Sequence, residues 1–175
     1  APRVVKVESR FEHVSNHYAG LEQLGVDRWV AVIGAAYSGF PGAKIVVDAG
    51  TAVTVDYLSS KDEYLGGAIL PGRDLMLSSL NTNTANIKAD LTETNSIFGR
   101  NTSECVNIGC QVGLNGAVMA IVQKMLAERP ETTQVLLCGG GAQSLLDYLG
   151  DLDHSCLDEI RHVPNLIFDG LIALS

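Results

Sequence analysis

The sequence is short of charge, and shortest of positive charge. Charged residues make up 18% of its 175 residues, with 12 Lys and Arg against 20 Asp and Glu. The resulting formal charge of −8 argues against a sequence-independent grip on nucleic acid or on an anionic membrane, since both need a basic face. Long hydrophobic runs are missing too: stretches such as Ile45 to Val47 are far too short to span a bilayer. Arg3, Lys6, Glu8 and Arg10 interrupt the start, where a secretory leader would be apolar. The cysteines, Cys105, Cys110, Cys138 and Cys156, form no C-x-x-C pair, and His13, His17, His154 and His162 do not complete a zinc pattern with them. Reduced thiols in a cytoplasmic protein are expected. G-x-G-x-x-G and G-x-x-x-x-G-K-[ST] are both absent, so neither a Rossmann nor a Walker site is indicated. No Gly/Ser-rich or Pro-rich linker and no solenoid-length repeat divides the chain. What it does have is apolar material, 46% of residues. That suffices for the core of one domain, or of one lobe of a two-lobed protein.

Periodicity predicts short strands at Val4 to Val7, Lys44 to Asp48, Ala52 to Leu58 and Tyr64 to Leu70. The last three form an antiparallel meander, with turns at Ala49-Gly50 and Ser59 to Asp62. A helix is expected over Asp27 to Tyr37, another opened by Pro71 and running to about Leu80, then a loop rich in Asn and Thr to Asn95. A long helix runs from Thr102 to about Glu128, opened by a capping-box pattern at Asn101 and Glu104 and stopped by Pro130. Gln134 to Cys138 reads as a strand, Ala142 to Leu149 as a helix and Leu166 to Phe168 as a last strand. This β-β-β-α-β-α-β order is the α/β, ribonuclease-H-like arrangement. Residues 1–38 are charge-balanced, with four basic and four acidic side chains, so the net charge arises beyond them. Asp147, Asp151, Asp153, Asp158 and Glu159, with no Lys or Arg between, read as a solvated acidic surface.

Four segments offer chemistry. In Val47 to Asp56, Asp48 ends an apolar strand, Gly50 permits a tight turn whose backbone N–H groups can approach a phosphate, and Thr51 adds a hydroxyl. Asp48 beside that turn suits a cation ligand or an electrostatic organiser, because a buried carboxylate is otherwise costly; an ordinary hairpin is the alternative. In Gly25-Val26-Asp27-Arg28-Trp29, Asp27 could accept a proton from a hydroxyl and Arg28 could hold an anion through paired hydrogen bonds, or the two could be a cap and a surface ion pair. Cys138-Gly139-Gly140-Gly141 could lay bare backbone against a nucleotide or be a packing turn. Thr102 opens the long helix, where N–H groups favour an anion, or it belongs to the cap. Gly109, Gly113, Gly116 and Ala120 share one face of that helix, which predicts close approach of either the sheet or a second subunit.

Four stretches together resemble type III pantothenate kinases, including their Bvg-accessory-factor-like members. They are Leu24 to Trp29, Val47 to Asp56, Tyr64 to Gly72 and Phe98 to Thr102. The resemblance implies an actin-like fold of the acetate and sugar kinase/Hsp70/actin kind. It divides the chain into the end of a first lobe, 1–38, carrying the G-x-D-R motif, and a complete second lobe, 39–175. It implies ATP-dependent phosphorylation of pantothenate, the first step of coenzyme A synthesis, in a homodimer; the acidic balance adds the expectation of no nucleic-acid or membrane partner. By position, Asp27 matches the general base. Tyr18, Gly25, Val26, Asp27, Arg28 and Thr102 match the pantothenate site, with Arg28 near the substrate carboxylate. Gly50, Thr51, Gly139 and Gly140 fall at the ATP side, with Mg2+, and Asp48 matches the ligand of a monovalent cation, K+ or NH4+. The family's opening D-x-G-N-[ST] phosphate loop has no counterpart here, and an N-terminal Ala fits a truncated or processed chain. A non-catalytic regulatory or ligand-binding protein on the same fold is the alternative expectation.

Overall fold

The computed structural model describes residues 4–92, 96–149 and 155–175. Asp151, Asp153 and His154, part of the acidic run and of the histidine set, lie outside the described residues, as does Asn95.

Among the described residues, seven strands form one sheet: β1 (Arg10–Phe11), β2 (Val14–Asn16), β3 (Ala43–Ala49), β4 (Ala52–Leu58), β5 (Glu63–Pro71), β6 (Thr133–Cys138) and β7 (Leu157–His162). Their order across the sheet is β1-β2-β5-β4-β3-β6-β7. β3, β4 and β5 are the expected antiparallel meander, and β6 and β7 join parallel beyond β3. Among the described residues, five α-helices accompany them: α1 (Val26–Ala36), α2 (Arg73–Asn83), α3 (Thr102–Glu128), α4 (Ala142–Leu149) and α5 (Leu166–Ala173).

β3, β4 and β6 are buried almost throughout because helices cover both faces, as near-continuous apolar runs require. Alternation divides their side chains into two cores. Ile45, Val47, Val53, Val55, Val135 and Leu137 meet Leu114, Val118, Val122 and Leu126 of α3 and Leu145 of α4. Val46, Leu58, Leu136 and Cys138 face the other way, toward Trp29 and Ile33 of α1 and Leu166 of α5. α3 is long and apolar enough by composition to cross a membrane, but its Leu114–Leu126 row is a core face of this fold.

α1 and α5 cross backbone to backbone. A Cβ on Gly34 would stand 2.1 Å from the Leu166 carbonyl oxygen, and one on Gly170 would stand 2.0 Å from that of Val30. Across the expected boundary at residue 38, α1 thus packs on α5 and on the same sheet that β1 and β2 extend.

Three expectations give way. Val4 to Val7 is not a strand; the first pairing is Arg10–Phe11 with Val14–Asn16. Pro71 closes β5 opposite Ala52 rather than opening a helix, a place where its missing N–H costs little, and α2 starts two residues later at Arg73. Leu166 to Phe168 begins α5, and the last strand is Leu157–His162. A three-residue apolar run carries no period, whereas half-exposed charges disguise an edge strand. The cap of α3 forms as expected at Asn101, whose Oδ1 accepts the Glu104 N–H at 2.9 Å, while the Glu104 carboxylate accepts the N–H of Arg100 at 2.7 Å.

Candidate functional site

The turn between β3 and β4 is tight. The Gly50 N–H donates to the Ala52 carbonyl at 3.1 Å, leaving Gly50 and Thr51 exposed. Two helix starts are pressed onto it. At α2, the Gly72 N–H donates to the Thr51 carbonyl at 2.9 Å, and a Cβ on Gly72 would stand 2.5 Å from the Gly50 carbonyl oxygen. At α4, the Gly141 N–H donates to the Ala49 carbonyl at 2.9 Å. Gly139 has φ +83°, and a Cβ there would stand 2.5 Å from Asp48 Oδ1, so both its conformation and its surroundings require glycine.

Between these parts lies a cleft of about 600 Å3 lined by Gly50, Thr51, Arg73, Asp74, Gly140 and Ser144, with Gln111 and Asn115 of α3 on its wall. A Cβ on Gly140 would meet nothing within 4 Å, and one on Gly50 only the Ala52 carbonyl at 3.4 Å, so bare backbone faces open space there. Two helix N-termini directed at one turn suit an anion.

On the opposite, α1 side of the sheet, Asp27 sits exposed in the first turn of α1, which is capped by Gly25 rather than by a side chain. Asp48 stands half-buried at the end of β3, level with Cys138 of the parallel neighbour. Burial pushes the Asp48 carboxyl up from its ordinary value, the charge of Asp27 adds to that, and a hydrogen bond with Cys138 partly offsets it. The Cys138 thiol is pushed up to about 12 by burial and by Asp48.

Arg28 does not reach outward as its place in the motif suggested. Its Nε donates to Asp56 Oδ2 at 3.1 Å and its Nη2 to Asp56 Oδ1 at 2.5 Å, with both side chains buried. The paired hydrogen bonds expected for an anionic substrate are made to Asp56. Burial alone would lower the Arg28 pKa; the hydrogen bond and charge of Asp56 outweigh it and raise the value.

Gly50, Thr51 and Gly140 are therefore brought together on the cleft, with Gly139 folded against Asp48 behind it. Asp27 lies within electrostatic reach of Asp48. Tyr18, Gly25, Val26, Arg28 and Thr102 stand outside the cleft, and exposed Thr102 begins α3. Arg73, Asp74, Gln111, Asn115 and Ser144 were not anticipated. Gln111 donates to Asn115 Oδ1 and Ser144 Oγ, each at 3.0 Å. Asn107, Gln111 and Asn115, amides at successive turns of a largely apolar helix, were the available signal. The small-residue face of α3 is turned away from the sheet: a Cβ on Gly109 or Gly113 would meet nothing within 4 Å, and one on Gly116 only the Tyr148 hydroxyl at 4.0 Å.

The strand order β5-β4-β3-β6-β7, with helices on both faces and the cleft at the β3–β4 turn, defines a protein of the actin-like class. Solved structures agree on the fold: a ParM protein from pSK41 superposes with TM-score 0.51 at 11% identity, covering 84% of this chain and 46% of its own. A conserved candidate Baf family transcriptional activator from Campylobacter jejuni superposes with TM-score 0.51 at 27% identity, covering 86% and 63%. Residues 1–124 match the model of the family described as type III pantothenate kinase. Proteins of that name from Hahella chejuensis and Pseudomonas fluorescens are 38% and 37% identical, over 93% and 90% of this chain and 67% and 62% of their own. The chain belongs to the type III pantothenate kinase family, and it spans 59% to 67% of the length of the first four curated relatives it matches.

Proposed function

We propose that the protein phosphorylates pantothenate to 4'-phosphopantothenate with ATP, the entry step to coenzyme A, in the cytoplasm. The observation that carries this reading is the position of Asp48, at the β3 end that the cleft turn continues and within electrostatic reach of Asp27. The bare backbone of Gly50 and Gly140 and the two helix starts suit the phosphates, which would also contact the Thr51 hydroxyl, with Gly139 shaping the turn. ATP with Mg2+ supplies the transferable phosphoryl group when bound.

Asp27 accepts the hydroxyl proton of pantothenate as the oxygen attacks; its exposure leaves it free to meet that hydroxyl. Asp48 holds a monovalent cation, K+ or NH4+, whose charge would relieve the repulsion between its carboxylate and that of Asp27. Tyr18, Gly25, Val26, Arg28 and Thr102 line the pantothenate side, and Arg28 approaches the substrate carboxylate with whatever donor its pairing with Asp56 leaves over. In this reading residues 1–38 end a first lobe and 39–175 form the second. The open small-residue face of α3 is the homodimer contact, since mid-helix glycines without a neighbour lower helix stability to no local benefit.

The test is to incubate the full gene product with ATP, Mg2+, K+ and pantothenate and to look for phosphopantothenate by mass spectrometry. Product that depends on all four supports the reading, and its absence overturns it. A second reading, a non-catalytic regulatory protein, is favoured by the likeness to the Campylobacter jejuni protein. It predicts ligand binding without turnover in the same assay.

A further inference from the structure

Asp56 belongs to none of the roles assigned above, yet it is among the most buried charged groups of the fold, 1% exposed. It accepts three hydrogen bonds: from Arg28 Nε at 3.1 Å, from Arg28 Nη2 at 2.5 Å and from the Tyr64 hydroxyl at 2.7 Å. Tyr64 is itself fixed, tilted against Trp29 at 6.2 Å between ring centroids and stacked on Tyr18 at 6.3 Å. The Tyr18 ring also underlies the guanidinium, with its centroid 5.5 Å from Arg28 Cζ.

The space for this assembly is cut by two adjacent glycines of β5. A Cβ on Gly67 would stand 2.7 Å from Asp56 Oδ1 and 1.9 Å from the Val55 carbonyl oxygen. Gly66, at φ +98°, turns its bare side toward the Tyr18 ring, 3.8 Å from where a Cβ would be. Sequence from three separate stretches is thus spent on holding one guanidinium by one edge and one face.

We propose that Asp56 is a positioning residue for the phosphoryl transfer: it holds Arg28 by the Nε–Nη2 edge, so that Arg28 meets a substrate carboxylate through its remaining Nη1–Nη2 edge. This rests on the kinase reading above. The chemistry follows from the fork geometry. A guanidinium bound bidentately through Nε and Nη2 keeps the two Nη1 donors and the second Nη2 donor for a second anion. The Asp56 charge also largely neutralises Arg28, so selection for a carboxylate comes from a directed donor rather than from a field that would draw any anion. An undirected Arg28 would lose discrimination before it lost turnover.

The experiment compares wild type, Asp56→Asn and Tyr64→Phe in the full gene product. It uses pantothenate and pantothenyl alcohol, in which a CH2OH group replaces the carboxylate. The readouts are KM and kcat for each compound, together with the NMR signal of the Arg28 Nε–H. Asp56→Asn is expected to lower the pantothenate-to-alcohol preference roughly 10- to 100-fold, the worth of one charge-assisted hydrogen bond, through KM rather than kcat. Tyr64→Phe, which removes one of three bonds to Asp56 and keeps the ion pair, is expected to move the preference the same way by less, and it stands in if Asp56→Asn does not fold. The protected Nε–H signal should survive in Tyr64→Phe. If both compounds are turned over and neither variant changes the preference, the positioning role is overturned while the kinase reading stands. If wild type phosphorylates neither compound, the kinase reading fails and the positioning role falls with it, whether or not the Nε–H is protected.

Discussion

Arg28 and Asp56, 28 residues apart in the chain, meet inside the protein at 2.5 and 3.1 Å, and each is the other's counter-charge. Removing one partner leaves the other charged and dry. Asp56→Ala is expected to lose about 3–5 kcal/mol of stability by denaturant titration. The double variant Arg28→Met, Asp56→Leu should recover part of that loss, because apolar side chains of similar volume tolerate the site while the Tyr64 hydroxyl loses its acceptor, and should bind pantothenate more weakly than wild type.

The Asp48 carboxyl titrates higher in the folded chain than in the unfolded one, chiefly through burial. The folded state therefore holds its proton longer, and ionising Asp48 costs stability as pH rises from the unfolded value, about 4, through the raised folded one. Asp48→Asn removes that cost. Its melting temperature should match wild type in acid and exceed it at neutral pH by roughly 2–4 °C, the shift that ~1 kcal/mol makes in a chain of this size. Activation by K+ should be lost in the same variant, so stability and activity move in opposite directions.

Two glycines should respond in opposite ways to alanine. Gly67→Ala drives a Cβ to 1.9 Å from the Val55 carbonyl and should disrupt the β4–β5 pairing. Gly113→Ala meets nothing within 4 Å and should stabilise the monomer by about 0.5–1 kcal/mol through helix propensity. If the exposed face of α3 is the dimer contact, Gly113→Ala also weakens self-association, read by sedimentation at several concentrations.

The thiols differ in environment. Cys105 is exposed, whereas Cys138 is buried with its thiol pushed up to about 12. Iodoacetamide at pH 8 should label Cys105 first and leave Cys138 unmodified until the protein is denatured, as peptide mass spectrometry would show.

The strands and helices that bury a continuous or periodic apolar pattern were legible in the sequence, which is why Ala52–Leu58, Thr102–Glu128 and Ala142–Leu149 lie where periodicity puts them. Leu166 to Phe168 was not, because three apolar residues fit a strand or a helix equally, and its helix forms through the Gly34–Gly170 crossing, a tertiary contact. The turn at Gly50 and Thr51 was readable from local chemistry. The commitment of Arg28 to Asp56 was not: the motif shows a free guanidinium, and its partner comes from β4 across the core. Residue type pointed to a guanidinium able to pair with a carboxylate, but pairing across elements decided which carboxylate takes its Nε and Nη2 donors.

The most direct measurement is a single-turnover comparison of wild type and Asp27→Asn, following phosphopantothenate by mass spectrometry with ATP, Mg2+ and K+ present. An amide at this position preserves size and removes the proton acceptor. The account predicts that transfer slows by about 10²–10⁴-fold while pantothenate still binds. Turnover by Asp27→Asn within a few-fold of wild type would contradict it.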